Sequence, residues 1–199
     1  VSYDKIPLAL INATIAIEDK RFPEHNGVDW LRTLSAIANF AGGDSSYGAS
    51  TITQQLIKNL THDDDVTVNR KVEEIFCALA TEKLYSKQEI MEWYLNTIYL
   101  GEGCYGVQSA SRVYFGKDVS DLTTAECASL IGITNNPSLY DPYIREKNNR
   151  ERQLTILKEM YDQGYIKTRE EYEAAAEQEL VFRNGTYDEE TYVCDQCGF

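Results

Sequence analysis

The sequence predicts a predominantly α-helical domain, on three observations. Apolar residues recur at three- and four-residue spacing, as in Leu8, Ile11 and Ile15 or Leu154, Leu157 and Met160. A hydroxyl residue followed three positions later by glutamate opens several of these segments: Ser86 with Glu89, Thr123 with Glu126, Thr168 with Glu171. No stretch alternates with the two-residue period of a strand, and no internal repeat competes with the helical pattern.

The first helix follows Asp4, with Pro7 in its first turn, buries the stripe Leu8, Ile11 and Ile15, and ends near Asp19. It runs into Ile17-Glu18-Asp19-Lys20-Arg21-Phe22-Pro23-Glu24-His25-Asn26-Gly27, a helix exit crowded with carboxylates, cations, a histidine and an aromatic. Such a helix would hold Glu18 at the edge of a cleft, where it could act as a base. Charged helix ends are also commonly solvated or paired, and this stretch alone does not decide between the two. Asp29 caps a second amphipathic helix through Leu31, Leu34, Ile37 and Ala38, stopped by Gly42-Gly43. A Gly- and Ser-rich loop to Ala49 leads to Ser50, the expected N-cap of a third helix lined with Thr51, Gln54 and Gln55 and carrying Lys58 and Asn59. The free N–H groups of that helix start would suit an anion, although a capped polar surface helix has the same appearance.

Thr67 caps a long helix reaching Leu84. On a helical wheel Val68, Val72, Ile75, Phe76 and Leu79 form the face expected to pack, while Arg70, Lys71 and Glu74 share a separate arc of about 100°. An ordinary surface pair between Arg70 and Glu74 explains that arc equally well. The Ser86 helix carries an aromatic core stripe of Ile90, Trp93, Tyr94 and Ile98, and Gly101, Gly103 and Gly106 punctuate a tight loop before a helix from Val107 to Phe115. The Thr123 helix runs through Ile133 to the stop at Asn135-Asn136-Pro137. A long helix spans Arg150 to Tyr161 with Gly164 at its end, and the Thr168 helix finishes near Leu180. The expected organisation is one domain over residues 1–180 and a tail over 181–199, with a small hairpin about Asn184-Gly185.

A net charge of -13 argues against non-specific nucleic-acid binding, which needs a basic face, but leaves room for a local cationic pocket. No apolar run approaches the roughly 20 residues that span a bilayer, and no signal-peptide pattern opens the chain. The abrupt ends suggest an excised domain. Cys77, Cys104 and Cys127 fall in or beside helical patterns and read as buried small hydrophobes. Cys194 and Cys197 form a Cys-x-x-Cys that fits a local disulfide or a metal knuckle completed by other sequence.

Several ordered blocks carry a resemblance. Glu18-Asp19-x-x-Phe22-x-x-His25-x-Gly27, Gly48-Ala49-Ser50-Thr51-Ile52-Thr53-Gln54-Gln55-Leu56-x-Lys58-Asn59, Arg70-Lys71-x-x-Glu74 and Tyr94-Leu95-Asn96-x-Ile98-Tyr99-Leu100-Gly101 resemble the signature blocks of the peptidoglycan glycosyltransferases, glycosyltransferase family 51. These are the transglycosylase domains of class A penicillin-binding proteins and their monofunctional relatives. Tyr114-Phe115-Gly116-Lys117 and Asn135-x-Pro137-Ser138-x-Tyr140-x-Pro142 are similar to later parts of that family, while Ala49 stands where a second glycine is commoner.

The resemblance implies a lysozyme-like helical domain with a smaller, mobile, membrane-facing lobe. It implies polymerisation of a lipid-linked disaccharide-peptide, lipid II, into β-1,4 glycan by inverting transfer, with release of the lipid pyrophosphate. Glu18 would take the proton of the incoming sugar hydroxyl, with Asp19 and Arg21 setting its charge and orientation. Glu74 would be the second carboxylate, organising the cations Lys58, Arg70 and Lys71 about the leaving pyrophosphate. Thr51, Gln54, Gln55 and Asn59 would hold phosphate or sugar hydroxyls, with Ser50 and Phe22 also on the substrate side. His25 would either hydrogen-bond near Glu18 or tie down the helix exit. No cofactor is required, though Mg or Mn could bridge the pyrophosphate and Asp19. The implied partners are lipid II, the nascent glycan strand, the membrane surface, a fused transpeptidase domain and other cell-wall proteins. The implied location is the extracytoplasmic face of the bacterial cytoplasmic membrane, with the anchor outside this chain. Two alternatives stand beside this: a lysozyme-type glycan hydrolase, which uses two carboxylates but needs no phosphate site, and a non-catalytic glycan-binding scaffold.

Overall fold

The computed structural model describes residues 1–41, 50–61 and 67–183. The expectations for the Gly-rich loop, the Asp63-Asp64-Asp65 run, the Asn184-Gly185 hairpin and Cys194 with Cys197 lie outside the described residues. Within them the fold is predominantly α, with one isolated bridge between Tyr99 and Tyr105 as the sole extended pairing.

Helix α1, Leu8–Glu18, is packed between α7, Thr124–Gly132, and α9, Pro142–Asp162. It is buried on more than the expected stripe: Leu10, Ala13, Thr14 and Ala16 are inside along with Ile11 and Ile15, whereas Leu8 is exposed. Apolar or small residues all round allow this, and the Thr14 hydroxyl is satisfied by the Leu10 carbonyl at 2.8 Å. Each large apolar side chain so buried contributes about 1.5–3 kcal/mol, which fixes the helix and hence the position of Glu18 at its last turn. Buried polar bonds tie α7 to α9: Ser129 to Asn149 at 2.6 Å and Gln153 to the Ala125 carbonyl at 2.9 Å. Helix α9 starts at Pro142, well before the expected Arg150, because Asp141 caps it and a non-helical Arg145 joins two helical stretches. The last helix, α10, Arg169–Glu177, ends short of Leu180.

Helix α2, Trp30–Ala41, is capped by Asp29, which accepts from the Arg32 N–H at 2.9 Å. Its Trp30, Leu31 and Leu34 are exposed. Helix α3, Ile52–Thr61, is capped by Thr51 and not by Ser50. Thr51 Oγ1 accepts from Gln54 N while Gln54 Oε1 accepts from Thr51 N at 3.0 Å, a capping box with glutamine in its last place.

Helix α4, Val68–Leu84, begins at Thr67 as expected, but its packing face is rotated from the one expected, with Ile75 and Leu79 left half-buried. Glu74 and Ala78 are buried, while Val72 is 44% and Phe76 68% exposed. Val72 and Phe76 face outward because the charged arc neutralises itself and turns inward; α3 packs on α4, and its Thr53 donates to Glu82 at 2.6 Å. Cys77, on the same helix, is exposed, whereas Cys104 and Cys127 are buried. Helix α5, Lys87–Thr97, carries the expected capping box and buries Ile90, Met91, Tyr94 and Leu95. The glycine loop then leads to α6, Val107–Phe115. The short helix α8, Pro137–Tyr140, connects the end of α7 to α9.

Candidate active site

Glu18 sits half-buried at the C-terminal end of α1. Its Oε1 accepts from the Thr134 hydroxyl at 3.0 Å, and its Oε2 accepts from Gln55 Nε2 at 3.1 Å. Tyr94, 1% exposed, donates its hydroxyl to Gln55 Oε1 at 3.0 Å, which turns the amide so that its NH2 meets the carboxylate. Burial first, then the charges of Glu18 and Asp19, push the Tyr94 phenol well above its ordinary pKa, so it remains a donor. Arg32 donates to the Glu18 backbone carbonyl at 2.7 Å, placing a cation at the negative end of α1.

The rest of the helix exit holds the fold around Glu18. Asp19 is fully buried; it accepts from His25 Nε2 at 2.9 Å and from the Ile52 N–H at 3.0 Å. It therefore ties α1 to the start of α3. A carboxylate so enclosed and so engaged does not fit a divalent ion bridging to a phosphate, so no metal is assigned to it. Among the described residues no group of three or more acidic, histidine or cysteine side chains is placed to hold a metal ion. His25 has its second ring nitrogen, Nδ1, buried with no partner among the described residues. Arg21 is turned to Asp29, with Nε donating at 2.9 Å and a second bond from Nη2. Phe22 is 2% exposed in the core, with Lys87 Nζ 4.2 Å over its ring. Lys87 also pairs with Glu82, and burial pulls its ammonium below the ordinary lysine range against that partner.

The start of α3 is closed to ligands by its own caps. Thr51 Oγ1 donates to the Gly27 carbonyl at 2.7 Å, and Thr51 and Gln54 are buried at 0% and 1% exposure. Gly27 has φ +92°, and a Cβ there would meet the Ala78 carbonyl oxygen at 2.6 Å, so this crossing over α4 requires glycine. The anion site expected at this helix start is thus replaced by an internal joint. Gln55, Lys58 and Asn59, three and four residues apart, share one face of α3, with Lys58 exposed and the other two half-buried.

The second carboxylate, Glu74, is 6% exposed. Arg70 donates to its Oε2 at 2.9 Å, and Lys71 pairs with its Oε1 while also donating to the Ser50 hydroxyl at 3.0 Å. The Arg70 and Lys71 side chains keep 18% and 38% of their surface, so one buried anion holds two partly exposed cations. Sequence reasoning missed Thr134, Tyr94 and Arg32 as neighbours of Glu18. Each meets it only through folding, Arg32 across 14 positions and Thr134 across 116.

These features define a class: a helical domain with one carboxylate held by neutral donors and a second clamped between cations. The chain belongs to the transglycosylase family, whose model matches residues 1–161. Penicillin-binding protein 1A of Aquifex aeolicus is 42% identical over 197 residues, covering 98% of this chain and 27% of that protein. A putative transglycosylase of Cupriavidus necator is 42% identical over 184 residues, covering 92% of this chain and 79% of that one. The solved structure of penicillin-binding protein 1A from Haemophilus influenzae is 42% identical, covers 54% of this chain and 16% of that chain, and gives a TM-score of 0.48. The chain spans about a quarter of the length of the penicillin-binding proteins it matches.

Proposed function

We propose that this domain polymerises lipid II into β-1,4 glycan strands. Ionised Glu18 takes the proton from the 4-hydroxyl of the acceptor sugar as that oxygen forms a bond to the anomeric carbon of the donor. The bond from that carbon to the phosphate oxygen breaks on the opposite face, and the lipid pyrophosphate leaves with the electron pair. One displacement inverts the centre, so an α-linked donor gives a β-linked product. Arg70 and Lys71, held by Glu74, and Lys58 on the outward face of α3 meet the charge that develops on the pyrophosphate. Gln55 holds Glu18, and Asn59 lies beside it for a sugar or phosphate oxygen.

The observation that carries this reading is the contrast between the two carboxylates. Glu18 is held by two neutral donors, Gln55 and Thr134, and Glu74 is held by two cations, Arg70 and Lys71. A hydrolase would have no use for the second arrangement. The lipid substrate places the work at the outer face of the cytoplasmic membrane, beside a transpeptidase domain and other cell-wall proteins. No helix among the described residues is long and apolar enough to cross a membrane, so the anchor would come from other sequence. The exposed apolar residues of α2 and α4 support a membrane-facing lobe.

Incubation with the lipid-linked disaccharide precursor should give polymer, and E18Q should lower the rate by roughly 100-fold or more. Cleavage of preformed glycan without polymer formation would replace this reading with hydrolysis, and binding without either reaction would leave a scaffold.

A further inference from the structure

We propose that Thr134 is a positioning residue for the base, a hydroxyl that serves Glu18 in both of its protonation states. The proposal rests on the reading of Glu18 as proton acceptor. Thr134 Oγ1 lies 3.0 Å from Glu18 Oε1 and 2.8 Å from the carbonyl oxygen of Ile131. A threonine hydroxyl has one proton to give, and while Glu18 is ionised both neighbours are acceptors. One of them is satisfied at a time. The proton goes to the carboxylate, because a charge-assisted hydrogen bond is about twice as strong as a neutral one.

When Glu18 gains a proton the order reverses. Its Oε1–H now donates to Thr134 Oγ1, and the threonine hydroxyl turns to donate to Ile131. Both bonds are then made, and no heavy atom has moved. Gln55 has no such freedom: its Nε2 only donates, and Tyr94 fixes the amide from the other side. The two oxygens of Glu18 therefore differ. Oε2 has a fixed donor that favours the charge, and Oε1 has a partner that follows the proton. The proton removed from the sugar comes to rest on Oε1, against Thr134, and is lost from there to water before the next cycle. Thr134 lies in the 3-10 turn Ile133–Asn135 that ends α7, and α7 packs on α1. Both partners thus stand on rigid elements, as a preorganised site requires.

Steady-state polymerisation of the lipid-linked disaccharide by T134V, T134S and E18Q tests this. T134V should lower kcat by roughly 10- to 100-fold with KM within about threefold, and T134S, which restores the hydroxyl, should lie within about threefold of the unaltered protein. A normal kcat in T134V, a T134S no better than T134V, or a loss confined to KM would overturn the proposal. Should T134V not melt cooperatively, T134C, close in volume with a weak donor, takes its place in the same comparison. An active E18Q removes the base assignment and Thr134 with it, whereas an inactive E18Q beside a fully active T134V removes Thr134 alone.

Discussion

Glu74 is a buried anion whose two oxygens are each held by a cation three or four residues away on its own helix. The arrangement is local, so it would survive wherever α4 was placed, but its burial is not, and burial is what strengthens it. Replacing Glu74 with glutamine keeps the shape and removes the charge. Arg70 and Lys71 would then repel each other beside a neutral amide. We expect E74Q to lower polymerisation by roughly 100-fold through misplaced cations, and to cost about 1–3 kcal/mol of stability, measured by urea unfolding. A rate within about threefold of the unaltered protein would make the cluster a structural ion pair.

The carboxylates themselves were legible in the sequence, because acidic residues in such blocks stand out, whereas their environments were not. Gln55 is 37 and Thr134 is 116 positions from Glu18, and nothing along the chain pairs them. The expectation for Asp19 and Arg21 is that they set the charge and orientation of Glu18, and for Thr51 that it holds phosphate or a sugar hydroxyl. In the fold each is bonded inward, to His25, Asp29 and Gly27 respectively.

At the scale of elements, the caps were the readable part. Ser86 with Glu89, Thr123 with Glu126 and Thr168 with Glu171 form complete capping boxes, since both partners lie within one turn and need no tertiary help. Thr51 with Gln54 follows the same rule one residue after the expected cap. The orientation of α4 was not readable, because amphipathic pattern assigns the apolar face to the core and cannot register a charged face that neutralises itself. Asp29 joins cap and ion pair at the start of α2, and that joint has a pH signature. The Arg21 guanidinium, by hydrogen bonding, holds the Asp29 carboxyl below its ordinary value of 3.8. Native Asp29 then binds fewer protons than unfolded Asp29, so the pair stabilises fully above that value, and the gain is lost as pH falls through the lower folded pKa. D29N keeps an acceptor for the Arg32 N–H but cannot titrate. It should be less stable than the unaltered protein at neutral pH, with the gap in urea midpoint closing as the pH drops below that ordinary value. A gap that stays constant across the acid range would show that the cap alone matters.

At the scale of the whole molecule, the exposed apolar residues and the net charge make opposing demands on a surface. Trp30, Leu31 and Leu34 on α2, Leu60 at the end of α3 and Phe76 on α4 are each more than half exposed. Single exposed apolar residues are ordinary, but three successive helices that each carry them fit the proposed membrane contact better than a wholly solvated surface. The net charge of -13 works against anionic headgroups. Membrane contact should therefore be apolar in origin and should survive salt, which screens charge over about 10 Å at 0.1 M and over shorter distances at higher concentrations. In flotation with vesicles, the protein should rise with zwitterionic lipid at least as well as with anionic lipid, and 0.5 M salt should not release it. The triple variant L31S/L34S/F76S should lose most of that binding while keeping its melting temperature, because none of the three side chains is in the core. Release by salt, or a variant that floats as well as the unaltered protein, would count against these faces as the membrane contact. Equal polymerisation by the triple variant on detergent-dispersed substrate would place its defect in docking and leave Glu18 and the cations of α4 intact.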